Sequence, residues 1–203
     1  MSGDWPRVKA AVEAYTDDRL AHVHSVYDDV EQQHPIKYGP RHHDPESPPV
    51  DTDTLLELVG GIVSVLLFYT PERRETVLVY NPAGAWEPPG GVVEDGHTPE
   101  EMAAIEANEE TGLRVTITDA AYTRRIGFNF ADGRRVELPL VQYIGHRRAG
   151  TLSVEREGRT HPGTTRATGL FDRETLPALR RDEPLVRELL NDPPGWDGCD
   201  SEG

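Results

Sequence analysis

Residues 98–113 constrain the fold more than any other stretch of this chain. Thr98 is a good helix N-cap, Pro99 suits the first helical position, and Glu101 completes a capping box. Helix formers follow in Met102, Ala103, Ala104, Ile105, Glu106 and Ala107. Gly112 stands where a C′ glycine ends a helix. The pattern predicts a helix over residues 99–111 with both ends chemically specified.

That helix carries Glu106, Glu109 and Glu110, at positions i, i+3 and i+4. Such positions share one face, with Cβ atoms roughly 5–6 Å apart. Glu109 and Glu110 also sit near the partially negative C-terminal end of the helix dipole, where carboxylates are disfavoured. A hard divalent cation with oxygen ligands, Mg²⁺ or Mn²⁺, relieves both repulsions. A solvated acidic face is the competing reading of three carboxylates taken alone. The preceding residues favour the metal. Trp86-Glu87-Pro88-Pro89-Gly90-Gly91-Val92-Val93-Glu94 closes a strand region and leads into the helix through a glycine loop. Gly90 and Gly91 are candidates for close backbone approach to a phosphate or metal. Glu94 is a further candidate ligand if it turns toward the same face.

In these residues the chain resembles the Nudix hydrolase family. The family box is a Gly, five residues, a Glu, seven residues, then Arg-Glu-aliphatic-x-Glu-Glu-x-Gly-aliphatic. Placed here it runs from Gly91 to Leu113, and Glu106, Glu109, Glu110, Gly112 and Leu113 match it. Leu170-Phe171-Asp172 and Leu176-Pro177 resemble the usual ending of such domains. His97 replaces the first box Glu, Ile105 the box Arg, and Ala107 the following aliphatic residue. Both partners of the family's loop–helix brace are therefore absent together, so neither leaves a buried charge unpaired. Ile105 is expected to pack against the core, and His97 to lie near the loop at Glu94.

The resemblance implies an α/β/α sandwich with a mixed sheet, preceded here by an N-terminal helical segment. It implies Mg²⁺-dependent cleavage of a diphosphate bond in a nucleoside diphosphate derivative or nucleotide. Glu106, Glu109, Glu110 and Glu94 would hold metal, and Glu109 or Glu110 would serve as base, with Glu155 and Glu157 as alternatives. A nucleotide-binding module of weak or no turnover is the second reading, motivated by His97 and Ile105.

Composition narrows the setting. The chain has 203 residues, with 36 Asp and Glu against 21 Lys and Arg, a formal net charge of −15. Lys9 and Lys37 are its only lysines. High acid with few lysines resembles the proteins of salt-loving archaea, whose internal salt screens self-repulsion. The charge disfavours nucleic acid and anionic membranes as partners. Cys199 is the single cysteine, which excludes an intrachain disulfide and a cysteine-based zinc cluster. Met1–Ala14 has no apolar signal region, and the apolar run Ile62–Tyr69 is too short to span a bilayer. A cytoplasmic protein is expected.

Residues 4–34 read as helix by the spacing of Trp5, Val8, Val12, Tyr15, Leu20, Val23, Tyr27 and Val30, with a possible break at Thr16-Asp17-Asp18. This segment is expected to cover the domain or to form a homodimer contact. Pro35–Pro49 reads as a linker, and residues 51–58 as a short helix. The domains expected are a helical segment with linker over 1–50, the hydrolase domain over 51–190, and a disordered tail over 191–203. Strands are expected at 62–69, 76–80, 114–119, 121–130, 135–145 and 167–171, with a hairpin turn at Ala131-Asp132-Gly133. Residues 176–180 and 183–190 look helical. Phe128 and Phe130 could stack a nucleobase, although core packing suits them as well. Arg124, Arg125, Arg134 and Arg135 read as solvated positions or phosphate ligands. His22, His24, His34, His42 and His43 lack metal spacing, whereas His97 reads as a loop residue beside the N-cap or a contact to metal or phosphate.

Overall fold

The computed structural model describes residues 4–38, 51–58, 60–94, 96–153 and 165–190. Its elements are, in chain order, α1 (Trp5–Val26), β1 (Glu31–Gln32), β2 (Ile36–Tyr38), α2 (Thr52–Leu58), β3 (Ile62–Phe68), β4 (Thr76–Tyr80), β5 (Trp86–Glu87), β6 (Gly90–Val92), α3 (Pro99–Thr111), β7 (Leu113–Asn129), β8 (Arg135–Gly150), β9 (Ala167–Phe171) and α4 (Glu183–Leu189). The strand order is β1-β7-β8-β3-β4-β5, with β2 also on β7, β6 on β3 and β9 on β4. β1 and β2 pair parallel to β7, and β4 pairs antiparallel with β3, β5 and β9, so the sheet is mixed.

The described chain forms two compact units. The first comprises the described residues within 4–64, 90–105 and 118–143. Its α1 is one continuous helix, not two. Val8, Val12, Thr16, Leu20 and Val23 form a buried stripe at helical spacing. Thr16 is part of that stripe because its hydroxyl donates to the Glu137 carbonyl at 2.9 Å, so it starts no new helix. Asp17 pairs with Arg125, and Trp5 packs edge-on against Phe130, with ring centroids 5.7 Å apart. The helix therefore covers β7 and β8. It ends earlier than the periodicity suggests, because Tyr27 is extended and Asp29 has a φ of 55°. Residues 31–32 and 36–38 then form strands where helix and linker are expected.

The hairpin at 131–133 forms, with the Gly133 N–H donating to the Phe130 carbonyl at 3.0 Å. Tyr143 is fully buried beside Tyr27. Burial first, and the Glu100 carboxylate second, push its hydroxyl well above the ordinary tyrosine value.

The second unit comprises the described residues within 65–89, 106–117 and 144–190. Its part of β3 and most of β4 are buried on both faces, from Val65 to Phe68 and from Thr76 to Val79, as expected of a strand between two covering layers. β9 pairs with β4 in the register Thr76↔Phe171 to Tyr80↔Ala167. Tyr80, Trp86 and Phe171 make a half-exposed aromatic group on this side. Residues 176–180 are not helical. Leu179 makes a parallel bridge to Trp86 instead, with the Arg180 N–H donating to the Trp86 carbonyl and the Leu179 N–H to Glu183 Oε2. The expected strands at 114–119 and 121–130 are one strand, β7.

Candidate active site

The capped helix is present as its chemistry demands. The Thr98 N–H donates to Glu101 Oε2 at 2.9 Å, and the Glu101 N–H donates to Thr98 Oγ1 at 3.2 Å. The Thr98 N–H is the main reason the Glu101 carboxyl lies below the usual carboxylate range. At the other end the Gly112 N–H donates to the Asn108 carbonyl at 2.7 Å, and Gly112 has a φ of 74°. Thr111 is fully buried. Its hydroxyl donates to the Ala107 carbonyl and accepts from the Leu113 N–H. The helix therefore stops where β7 must begin.

Burial separates the three carboxylates. Glu106 and Glu109 are half-buried. Glu110 is only 7% exposed, and its Oε1 accepts a 2.5 Å hydrogen bond from the hydroxyl of Thr165, itself buried. Helix geometry explains the difference. Glu110 follows Ala103 by seven residues and Ala107 by three, and both alanines are fully buried, so it shares their packing stripe. The triad is thus not three equal groups on one open edge, as the spacing alone suggests. Oxygen-only donors at this helical spacing match a hard divalent cation in chemistry. Among the described residues, however, three or more His, Cys, Asp or Glu side chains are not gathered into one metal-ready group.

The loop residues take different positions. Gly90 pairs with Ser64, and a Cβ at Gly90 would lie 2.2 Å from the Val63 carbonyl oxygen. Its lack of a side chain lets β6 lie against β3. Gly91 pairs with Val63. Glu94 and His97 are exposed, with the His97 N–H 3.4 Å from the Glu94 carbonyl. Both line a cavity of about 350 Å³ in the first unit, with Tyr15, Arg19, Asp53 and Glu57. Ile105 is half-buried, less than expected.

Phe130 is buried against Trp5 and Phe128, while Phe128 is half-buried. The four candidate arginines have partners within the protein. Arg124 donates to Gln33, Arg125 pairs with Asp17, Arg134 with Asp132 and Arg135 with Glu137. His24 bonds Thr123 Oγ1 at 2.8 Å. Glu155, Glu157, His42, His43 and Cys199 lie outside the described residues. Thr165 is the residue that sequence reasoning missed. A lone threonine beyond a polar stretch carries no local signal.

The structure thus combines a mixed sheet and helices with a doubly capped helix bearing three carboxylates. A family model described as the NUDIX domain matches residues 61–189. Among solved structures the chain is similar to an ADP-ribose pyrophosphatase from Streptococcus suis, at 17% identity over 65% of this chain and 92% of that one, with a TM-score of 0.45. It is similar to a NUDIX-family hydrolase from Clostridium perfringens, at 19% identity over 64% and 94%, TM-score 0.45. A third is a MutT described for Aliivibrio salmonicida and Vibrio cholerae, at 24% identity over 64% and 95%, TM-score 0.40. The chain belongs to the Nudix family, and its class of activity is that of a pyrophosphohydrolase.

Proposed function

We propose that this protein hydrolyses a diphosphate bond in a nucleoside diphosphate derivative or nucleotide, with Mg²⁺ or Mn²⁺ held by Glu106, Glu109 and Glu110. The observation that carries this reading is the carboxylate triad at i, i+3 and i+4 on a helix capped at both ends. Capping and the glycine stop fix the helix in place, so the chain accepts the repulsion of these carboxylates at a defined position. When bound, a divalent cation supplies charge neutralisation for the diphosphate and lowers the pKa of a water ligand. Glu109 or Glu110 accepts the proton of the attacking water. Glu110 is buried with one oxygen bonded to Thr165, while Glu106 and Glu109 are half-buried. The net charge of −15 supports a home in the cytoplasm of a salt-loving cell. Among the described residues, no helix is long and apolar enough to cross a membrane.

The test is a screen of nucleoside diphosphate compounds at high salt with Mg²⁺ and Mn²⁺, followed by Glu109→Gln and Glu110→Gln. Both variants should lose nearly all turnover and keep the fold. The rise in melting temperature that Mg²⁺ gives the wild type should shrink in each. A wild type unaffected by either metal, in stability and in turnover, would sink the proposal. A second reading, a nucleotide-binding module with little turnover, is favoured by the lack of a metal-ready group among the described residues and by His97 and Ile105 in the box. It predicts tight binding of nucleotide and metal with no product in the same screen.

A further inference from the structure

Thr165 stands 55 residues from Glu110 in sequence, outside the box, yet its hydroxyl reaches that carboxylate at 2.5 Å. We propose that Thr165 is a positioning residue for the reaction, fixing one oxygen of Glu110 so that the carboxylate keeps a single orientation toward the bound cation. This rests on the reading of the triad as a metal-binding set.

Three observations support it. First, both groups are buried, Thr165 at 8% and Glu110 at 7% exposure, so the bond is shielded from water. A buried carboxylate needs hydrogen-bond donors, and a short O–H···O⁻ contact is of the strong, charge-assisted kind. Second, both partners stand on rigid supports. The next residue, Arg166, donates its N–H to the Tyr80 carbonyl at 2.8 Å, and β9 then pairs with β4 from Ala167 onward. On the other side, the Ser153 N–H donates to the Thr111 carbonyl at 2.9 Å and Gly112 closes the helix, so the last turn of α3 is anchored. Third, threonine is the suitable donor. Its β-branch restricts χ1, so the hydroxyl direction is set by the backbone. The flexible glutamate side chain gains most from such a partner, because fixing one oxygen removes rotamer freedom that metal binding would otherwise have to remove. Groups that orient metal ligands in this way typically change metal affinity or activity by about 10–100-fold when mutated.

The experiment compares the wild type with Thr165→Val, Thr165→Ser and Glu110→Gln in the full chain. Mn²⁺ binding is measured by calorimetry without substrate, melting without metal, and kcat and KM on the best compound of the screen. Thr165→Val should weaken Mn²⁺ binding about 10–100-fold and lower kcat with little change in KM. Thr165→Ser, which keeps the hydroxyl, should recover most of both. Where the valine variant fails to fold, Thr165→Ala takes its place with the same expectation. If Thr165→Val or Thr165→Ala binds Mn²⁺ like the wild type while Glu110→Gln binds it weakly, the positioning role is wrong and the triad reading stands. If Glu110→Gln also binds Mn²⁺ like the wild type, the triad reading itself fails and takes this inference with it.

Discussion

Gly112→Ala tests how tightly the end of the carboxylate helix is held. Gly112 has a φ of 74°, and a Cβ there would meet Ser153 Oγ at 2.7 Å and the Thr151 carbonyl oxygen at 2.8 Å. Two costs add. An alanine in the left-handed region costs roughly 1–2 kcal/mol. Relieving the contact costs roughly 1–3 kcal/mol more, because one of the two atoms is backbone and must carry its segment with it. A total of about 3 kcal/mol lowers the melting temperature by roughly 6–12 °C for a chain of this size. Gly96 is the internal control. Its φ is 81°, but a Cβ there meets nothing within 4 Å. Gly96→Ala should therefore show the backbone cost alone, about 1–2 kcal/mol. Asparagine tolerates the left-handed region yet carries a Cβ, so Gly112→Asn should remain destabilised while Gly96→Asn should be close to wild type. Melting followed by far-ultraviolet circular dichroism at fixed high salt measures all four variants. Equal losses at the two positions would show that segment 151–153 does not press on the helix end, and would refute the argument.

Thr98→Ala should cost about 1 kcal/mol by removing the N-cap, and a double-mutant cycle with Glu101→Ala should show strong coupling, since each side chain serves the other's N–H. The Glu101 carboxyl lies below the usual range, so its contribution to stability should be complete above that range and fade as pH falls through it; Glu101→Gln should remove that acid dependence from the melting curve. Tyr143 is held above its ordinary value, so its contribution should be intact below about pH 10, the unfolded value, and decline as pH rises further; tyrosinate absorbance should reveal one late class that ionises together with unfolding. Because Ile105 is half-buried, Ile105→Arg should cost only about 1–2 kcal/mol, and adding His97→Glu should recover part of it; identical stability of single and double variants would contradict a latent brace.

Local chemistry was legible in the sequence and distant chemistry was not. The cap of α3 could be read because Thr98 and Glu101 satisfy each other's backbone across three residues, and the stop because Gly112 serves its own helix. The paired β3 and β4 followed from apolar runs buried on both faces. The break expected in α1 failed because the partner of Thr16 is the Glu137 carbonyl, 121 residues away. In a sequence that threonine looks like a cap, and in the fold it is a core residue whose hydroxyl is satisfied elsewhere. Residues 176–180 failed similarly, since the Arg180 N–H donates to the Trp86 carbonyl and the Leu179 N–H to Glu183 Oε2. Phe128 and Phe130 read alike in the sequence, but Phe130 is buried where Trp5 from α1 and Phe128 pack against it, and Phe128 is half-buried.

The same limit applies inside the triad, where the spacing i, i+3, i+4 treats three glutamates alike. Packing does not, and alanine substitutions without metal should expose the difference. Glu106→Ala and Glu109→Ala remove charges that are only half-buried, so each should cost less than Glu110→Ala. Glu110→Ala removes the acceptor of a buried hydroxyl and leaves a space beside Ala107, which costs roughly 1–3 kcal/mol for the stranded Thr165 donor alone. Glu110→Gln retains an acceptor oxygen and should lie close to wild type. Adding Thr165→Val to Glu110→Ala should then recover stability, because the stranded hydroxyl is gone, whereas Thr165→Val alone should destabilise. Chemical denaturation of these variants in metal-free buffer gives the full cycle. If all three alanine variants fall by the same amount, or if the double variant is simply additive, Glu110 is held no differently from its neighbours, and the asymmetry read from its burial is wrong.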